Sequence, residues 1–210
     1  MTAANADELV FRMIGTWWRV DLSSPEATAE SAKQMARGMI GTDDRDATHR
    51  AKIRADLIAA ADAARAGDAQ LMMLQTELSP GTPMSASLTL FADDRLRMSP
   101  SIGTDSSTVL EVLERSLTLM DPALAETATR RRSADGDVLR VHTVEETVAE
   151  EQGERFTERR LVAQYFYPVP GSKQLLLAVF STPLGDIPNA LLSYFDAIVE
   201  ASHYRTPLPV

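Results

Sequence analysis

Apolar and polar residues alternate with a period of two from Trp17 to Leu22. Trp18, Val20 and Leu22 fall on one side, and Trp17, Arg19 and Asp21 on the other. That is the pattern of a half-buried strand with Trp18, Val20 and Leu22 facing the core. Residues 9–14 are also β-like, set apart by Gly15-Thr16. Ser23-Ser24-Pro25-Glu26 then reads as a helix start, with Ser24 as N-cap and Pro25 at the first helical position, and the helix runs to about Met39. Gly41 to Asp44 opens a second helix. Its stripe of Ile53, Leu57, Ala60, Ala61 and Ala64 recurs at spacings of three and four, and Gly67 ends it. Side chains this small predict close approach to whatever the helix packs on.

Two strands, 71–78 and 84–91, flank Ser79-Pro80-Gly81-Thr82-Pro83. Pro80-Gly81 suits the centre of a type II turn, so the spacing predicts a hairpin with a five-residue connection. Residues 93–103 read as loop. Thr108-Val109-Leu110-Glu111 has the form of a capping box opening a helix to about Met120, which Asp121-Pro122 stops. Four strands follow: 126–132 and 138–148 around a turn containing Asp135-Gly136, then 156–167 and 174–181 around Pro168-Val169-Pro170-Gly171-Ser172. Leu175 to Phe180 is apolar on both faces and belongs inside a sheet. The last helix is expected from Asp186, as N-cap, to about His203, with Ile187, Leu191, Tyr194, Phe195, Ile198 and Val199 on one stripe. The tail 206–210 reads as extended. Short turns between consecutive strands imply antiparallel pairing, and helices must cover the sheet. The expected fold is α+β, an antiparallel β-sheet covered by helices, in a single domain over residues 1–210.

Composition changes this picture only by exclusion. The 210 residues are 44% apolar and 24% charged, which is ordinary for a globular domain of one core. A net charge of −9 repels nucleic acid, and the basic run Arg130-Arg131-Arg132 alternates between faces of a strand, so it forms no single patch. The chain has no cysteine, which removes disulfides, thiolate metal sites and cysteine nucleophiles. Met1 to Leu9 has no signal-peptide character, and the longest apolar run, Leu175 to Phe180, has strand length. The expectation is a cytoplasmic protein with neither membrane nor nucleic-acid partners.

Candidate chemistry is sparse. His49, His142 and His203 lie on a helix, a strand and a helix end, with no metal-ligand spacing among them. Asp43, Asp44 and Asp46 could hold Mg²⁺, but they suit a helix N-terminus better, and no glycine-rich phosphate loop accompanies them. Asp135-Gly136-Asp137 lacks the rest of a calcium loop and reads as a turn. No nucleophile elbow of the Gly-x-Ser-x-Gly type occurs. No catalytic residue, cofactor or metal ligand is therefore assigned. Two features suit a protein partner. Glu145, Glu146, Glu150 and Glu151 make an acidic strand end that either docks a basic surface or keeps an edge from aggregating. Trp17 beside Trp18 places one ring on the side of its strand away from the core, where it is either covered by a helix or free as an interface anchor. The leading expectation is a non-enzymatic binding or accessory protein acting through protein–protein contacts. The alternative is a small-molecule-binding protein or enzyme with a pocket between sheet and helices, using groups such as Tyr165, Gln164 or Arg131. A homo-oligomer is the third.

The two ends of the chain resemble the Mog1/PsbP-like α/β sandwich family. The strand Trp17 to Leu22 leading into a helix is similar to that family's start. The strand 174–181, followed by a helix carrying Phe195-x-x-Ile198-x-x-x-Ser202, is similar to its close. The resemblance implies an antiparallel sheet with helices on its faces and a binding or accessory role without catalysis. The Ala-rich helical stretch between Ser24 and Gly67 departs from the family's compact pattern. Many secreted relatives are lipoproteins, which a chain without cysteine does not match.

Overall fold

The computed structural model describes residues 9–98, 103–151 and 154–205, the side chains of 149–151 and 154–156 excepted. A seven-stranded sheet runs through it in the order β2-β3-β4-β8-β7-β6-β5, every neighbour antiparallel. The strands are β2 (Thr16–Val20), β3 (Ala69–Ser79), β4 (Thr82–Phe91), β5 (Thr129–Ser133), β6 (Gly136–Glu151), β7 (Glu154–Pro168) and β8 (Leu175–Thr182). β8 is the middle strand, as its two apolar faces require. A separate two-residue ladder joins β1 (Leu9–Val10) to β9 (His203–Tyr204). The structure bears out an α+β fold with helices on both faces of an antiparallel sheet.

On one face lies α5 (Pro188–Glu200). Its Leu191, Leu192, Phe195, Ile198 and Val199 pack on the inward residues of β4, β8 and β7, with Leu88, Leu90, Phe180 and Tyr165 at the centre. Phe195 stacks on Phe180 at 4.8 Å between ring centroids, and Tyr165 meets Phe180 edge-on at 5.5 Å. The opposite face is shared. α1 (Pro25–Ile40) and α2 (Ala47–Ala66) cover Val20 and Met72. α3 (Ser106–Met120), followed by the short α4 (Pro122–Ala125), covers Leu139, Val141, Phe166 and Leu175. The small residues do permit close packing. Ala61 and Ala64 are buried, and a Cβ on Gly38 would lie 2.9 Å from the Trp18 ring. Ala60, expected on the same stripe, is exposed.

Several local expectations are corrected by geometry. The β3–β4 connection is only Pro80-Gly81, because Ser79 and Thr82 still pair. Gly81 has φ +79°, which fits the third position of a type II turn. α3 begins three residues earlier than the Thr108 box suggests, since the cap is Asp105, whose carboxylate accepts from the Thr108 backbone N–H. α5 is shorter than expected: Ile187 occupies the N-cap position without a side-chain bond, and the helix stops at Glu200, so His203 lies in β9. Asp186, expected as the cap, is drawn instead toward Arg159. The expected tail at 206–210, and all but Leu9 of Met1 to Leu9, lie outside the described residues. Among the described residues no helix is long and apolar enough to cross a membrane.

The β6–β7 ladder runs from Leu139 opposite Phe166 to Glu151 opposite Glu154. Its neighbours are shorter. β8 pairs β7 only from Leu161 to Pro168, and β5 pairs β6 only from Gly136 to Arg140. The far end of the hairpin therefore projects past the rest of the sheet as a two-stranded arm.

Candidate functional site

Inward-facing positions of β6 alternate as Val138, Arg140, His142 and Val144. Burial forces the charged member to find a partner, because an unpaired buried guanidinium costs several kcal/mol. Arg140, whose side chain is 7% exposed, donates through Nη1 to Asp196 Oδ2 on α5 at 2.6 Å. The Tyr165 hydroxyl donates to Asp196 Oδ1 at 2.8 Å, and Arg131 Nε lies 3.0 Å from Oδ2. Burial, then the Asp196 charge, holds the Tyr165 hydroxyl neutral far above its ordinary range. His142 beside it is pushed below its usual value by burial and by the Arg140 charge. A groove of about 370 Å³ opens at the Arg131 side, bounded by Arg130, Arg132, Asp137 and Glu200 as well. The neighbouring arginines are engaged elsewhere: Arg130 makes a two-point contact with Glu114 of α3, at 2.6 and 2.8 Å, and Arg132 faces Asp137. Arg130 and Arg131 thus pair on opposite sides of the strand, toward α3 and α5, while all three arginines border the groove.

A second constellation lies where the arm leaves the sheet. Arg159 on β7 reaches Glu146 on β6 at 3.0 Å and Asp186, in the loop before α5, at 3.4 Å. That loop is pressed on β7: the Gly185 N–H donates to the Arg159 carbonyl at 2.9 Å, and a Cβ on Gly185 would lie 2.7 Å from that carbonyl. The segments that bear the triad also bear exposed apolar side chains. Leu184 bridges Arg159, Ile187 follows Asp186 and is 55% exposed, and Val148 shares the Glu146 face of β6 and is 69% exposed. Apolar side chains surrounding a partly shielded arginine have the composition of an interface centre.

The residues singled out in the sequence fall as follows. Glu145 and Glu146 are exposed on the arm, and Glu150 and Glu151 belong to its β6 strand with side chains outside the described residues. Trp17 is half-buried against the α5-side core, its Nε1 donating to the Ile14 carbonyl at 2.8 Å. Gln75 and Tyr194 donate to the same carbonyl at 3.0 and 2.6 Å, so three donors pin this turn. Trp18 packs on the other face with Val20. Of the polar trio, Tyr165 and Arg131 do meet, at Asp196, while Gln164 has the opposite strand parity. Asp43 is held by Arg45 and caps a 3₁₀ turn at 44–46. Among the described residues no group of three or more His, Asp and Glu side chains could hold a metal ion. Sequence reasoning missed Arg140 and Asp196. The available signal was a charged residue, Arg140, on the same strand parity as the apolar Val138 and Val144. Asp186, Leu184 and Ile187 had no such signal, because a loop folding back on a strand leaves no periodicity.

No family model matches the chain, and no curated protein matches it. Among solved structures, a crystal structure of a protein from Bacteroides thetaiotaomicron VPI-5482 aligns with a TM-score of 0.31 and 11% identity, covering 65% of this chain. The chain spans 39% of the length of that protein.

Proposed function

We propose that this chain is a non-enzymatic binding or accessory protein that works through protein–protein contacts, with its docking face where the β6–β7 arm meets the loop before α5. One observation carries the reading: the segments that bear the Arg159–Glu146–Asp186 triad also bear the exposed apolar side chains Leu184, Ile187 and Val148. Covering such side chains is worth about 25 cal/mol per Å² of apolar surface, and the central arginine supplies orientation. A cysteine-free composition fits action in the cytoplasm, and an antiparallel sheet with helices on both faces fits the Mog1/PsbP-like resemblance. A second reading, a small-molecule carrier or enzyme, draws on the meeting of Tyr165 and Arg131 at Asp196. It is the weaker one, since both carboxylate oxygens are already engaged by protein donors.

The test is a photo-reactive amino acid placed at Ile187, with the exposed Ala59 of α2 as control. The expected result in native cells is a discrete adduct from position 187 and none from position 59. The same adducts from both positions, or none from 187, would sink the reading.

A further inference from the structure

We propose that the outer edge of the arm, on β6, takes up an extended basic polypeptide segment as an added antiparallel strand. The inference rests on the docking reading above and names the partner's chemistry. β5 leaves β6 at Arg140, and beyond it the His142 N–H donates to the Thr127 hydroxyl on the β5 side, at 3.0 Å. Backbone groups of a strand in an antiparallel ladder point to alternate edges. The N–H and C=O groups of Val144, Glu146 and Val148 therefore point the same way as those of His142. Among the described residues no strand pairs with β6 along that edge beyond Arg140, and Glu145 to Val148 are all exposed. A row of backbone groups of this length, with no strand partner among the described residues, is a template for strand addition.

Charge decides the occupant. Glu145 and Glu146 stand on the free strand, and the arginines that answer them, Arg160 and Arg159, stand across the ladder on β7. The ribbon is acidic on its open edge and basic on its inner strand. A second copy pairing through this edge would set the glutamates of one copy against those of the other, which opposes self-pairing. An incoming strand bearing Lys or Arg beside its unpaired backbone is favoured by the same charges.

The test uses the full chain and a labelled eight-residue peptide alternating Lys and Val, followed by fluorescence anisotropy. Controls are the same peptide with Glu for Lys and two Lys peptides, one N-methylated at odd and one at even backbone positions. The Lys peptide is expected to bind and the Glu peptide not, with binding weakening as salt rises. One of the two methylated peptides should lose binding and the other keep it, because only one set of N–H groups faces β6. The double variant Glu145→Gln/Glu146→Gln should bind about three- to tenfold more weakly. Val148→Pro removes one outward N–H, keeps the β7 ladder and the thermal midpoint, and should abolish binding. Equal binding of the Lys and Glu peptides, or indifference to both methylation patterns, overturns the inference. So does concentration-dependent self-association of the chain that Val148→Pro removes, since the occupant is then a second copy. If the Ile187 cross-linker captures a partner while the Lys peptide fails, the inference falls and the docking reading stands; if both fail, both fall.

Discussion

Asp196→Asn is the sharpest probe of how α5 is held to the sheet. The wild-type carboxylate accepts from Arg140 at 2.6 Å and Tyr165 at 2.8 Å and faces Arg131 at 3.0 Å. The amide keeps the shape and removes the charge, leaving the guanidinium of Arg140, 7% exposed, without a counterion. Breaking a buried pair by removing one partner costs about 3–5 kcal/mol. Asp196 is 20% and Arg131 39% exposed, so water recovers part of this, and about 2–4 kcal/mol is the expected loss. For a domain of this size, that lowers the thermal midpoint by roughly 5–15 °C. Urea unfolding followed by tryptophan fluorescence, Trp17 and Trp18 being the reporters, reads the change as a shift in midpoint at constant slope. Tyr165→Phe alone should cost only about 1 kcal/mol, and a double-mutant cycle with Asp196→Asn should show coupling, because the Tyr165 hydroxyl donates to the carboxylate that the second change neutralises. Replacing the set with apolar residues of similar size, Arg140→Met with Asp196→Leu and Tyr165→Phe, should recover most of the stability. A loss below about 1 kcal/mol for Asp196→Asn would refute the claim that this carboxylate neutralises a buried charge.

Three further outcomes follow from the same geometry. Gly15 sits at φ +85°, and a Cβ there would lie 2.4 Å from the Glu77 carbonyl, so Gly15→Ala should cost about 2 kcal/mol or more in urea unfolding. Burial raises the hydroxyls of both Tyr165 and Tyr167 above their ordinary value of 10.0. Unfolded tyrosines lose protons first as pH climbs past that value, so stability is fully present below pH 10 and is lost above it, by about 1.4 kcal/mol per pH unit for each tyrosine. Absorbance at 295 nm should accordingly show these two ionising together with unfolding. His142 is depressed below 6.5 by burial and by Arg140, so its contribution is present above that pH and is lost as the pH falls below it. In His142→Gln that component of the pH–stability curve should vanish below pH 6.5, and an unchanged curve would show that His142 is not held neutral.

Much of the fold was legible in the chain, because burial imposes a period on each element. Alternation placed Val20 and Trp18 on one face of β2, and a doubly apolar run placed β8 inside the sheet. Helical spacing found the stripe of Phe195, Ile198 and Val199 that lies on the sheet. Turn residues located the hairpins: Gly81 and Gly171 take the positive φ that a Pro-Gly turn requires, while at the third the connection is Ala134-Asp135, one residue before the expected Asp-Gly pair. Element ends were less legible. Asp105 and Thr108 offer nearly equal caps, and only the carboxylate's reach to the Thr108 N–H separates them.

The order of strands and the candidate site belong to the tertiary structure alone. Which strand sits beside which depends on contacts between residues far apart in the chain, and such contacts leave no local pattern. Arg140 and Asp196 are 56 residues apart, and Arg159 and Asp186 27. Nothing near either residue announces the other, because an ion pair is defined by distance in space. The projecting arm is of the same kind. The sequence shows that β6 and β7 are long, while the shortness of β5 and β8 beside them decides how far the pair runs past the rest of the sheet.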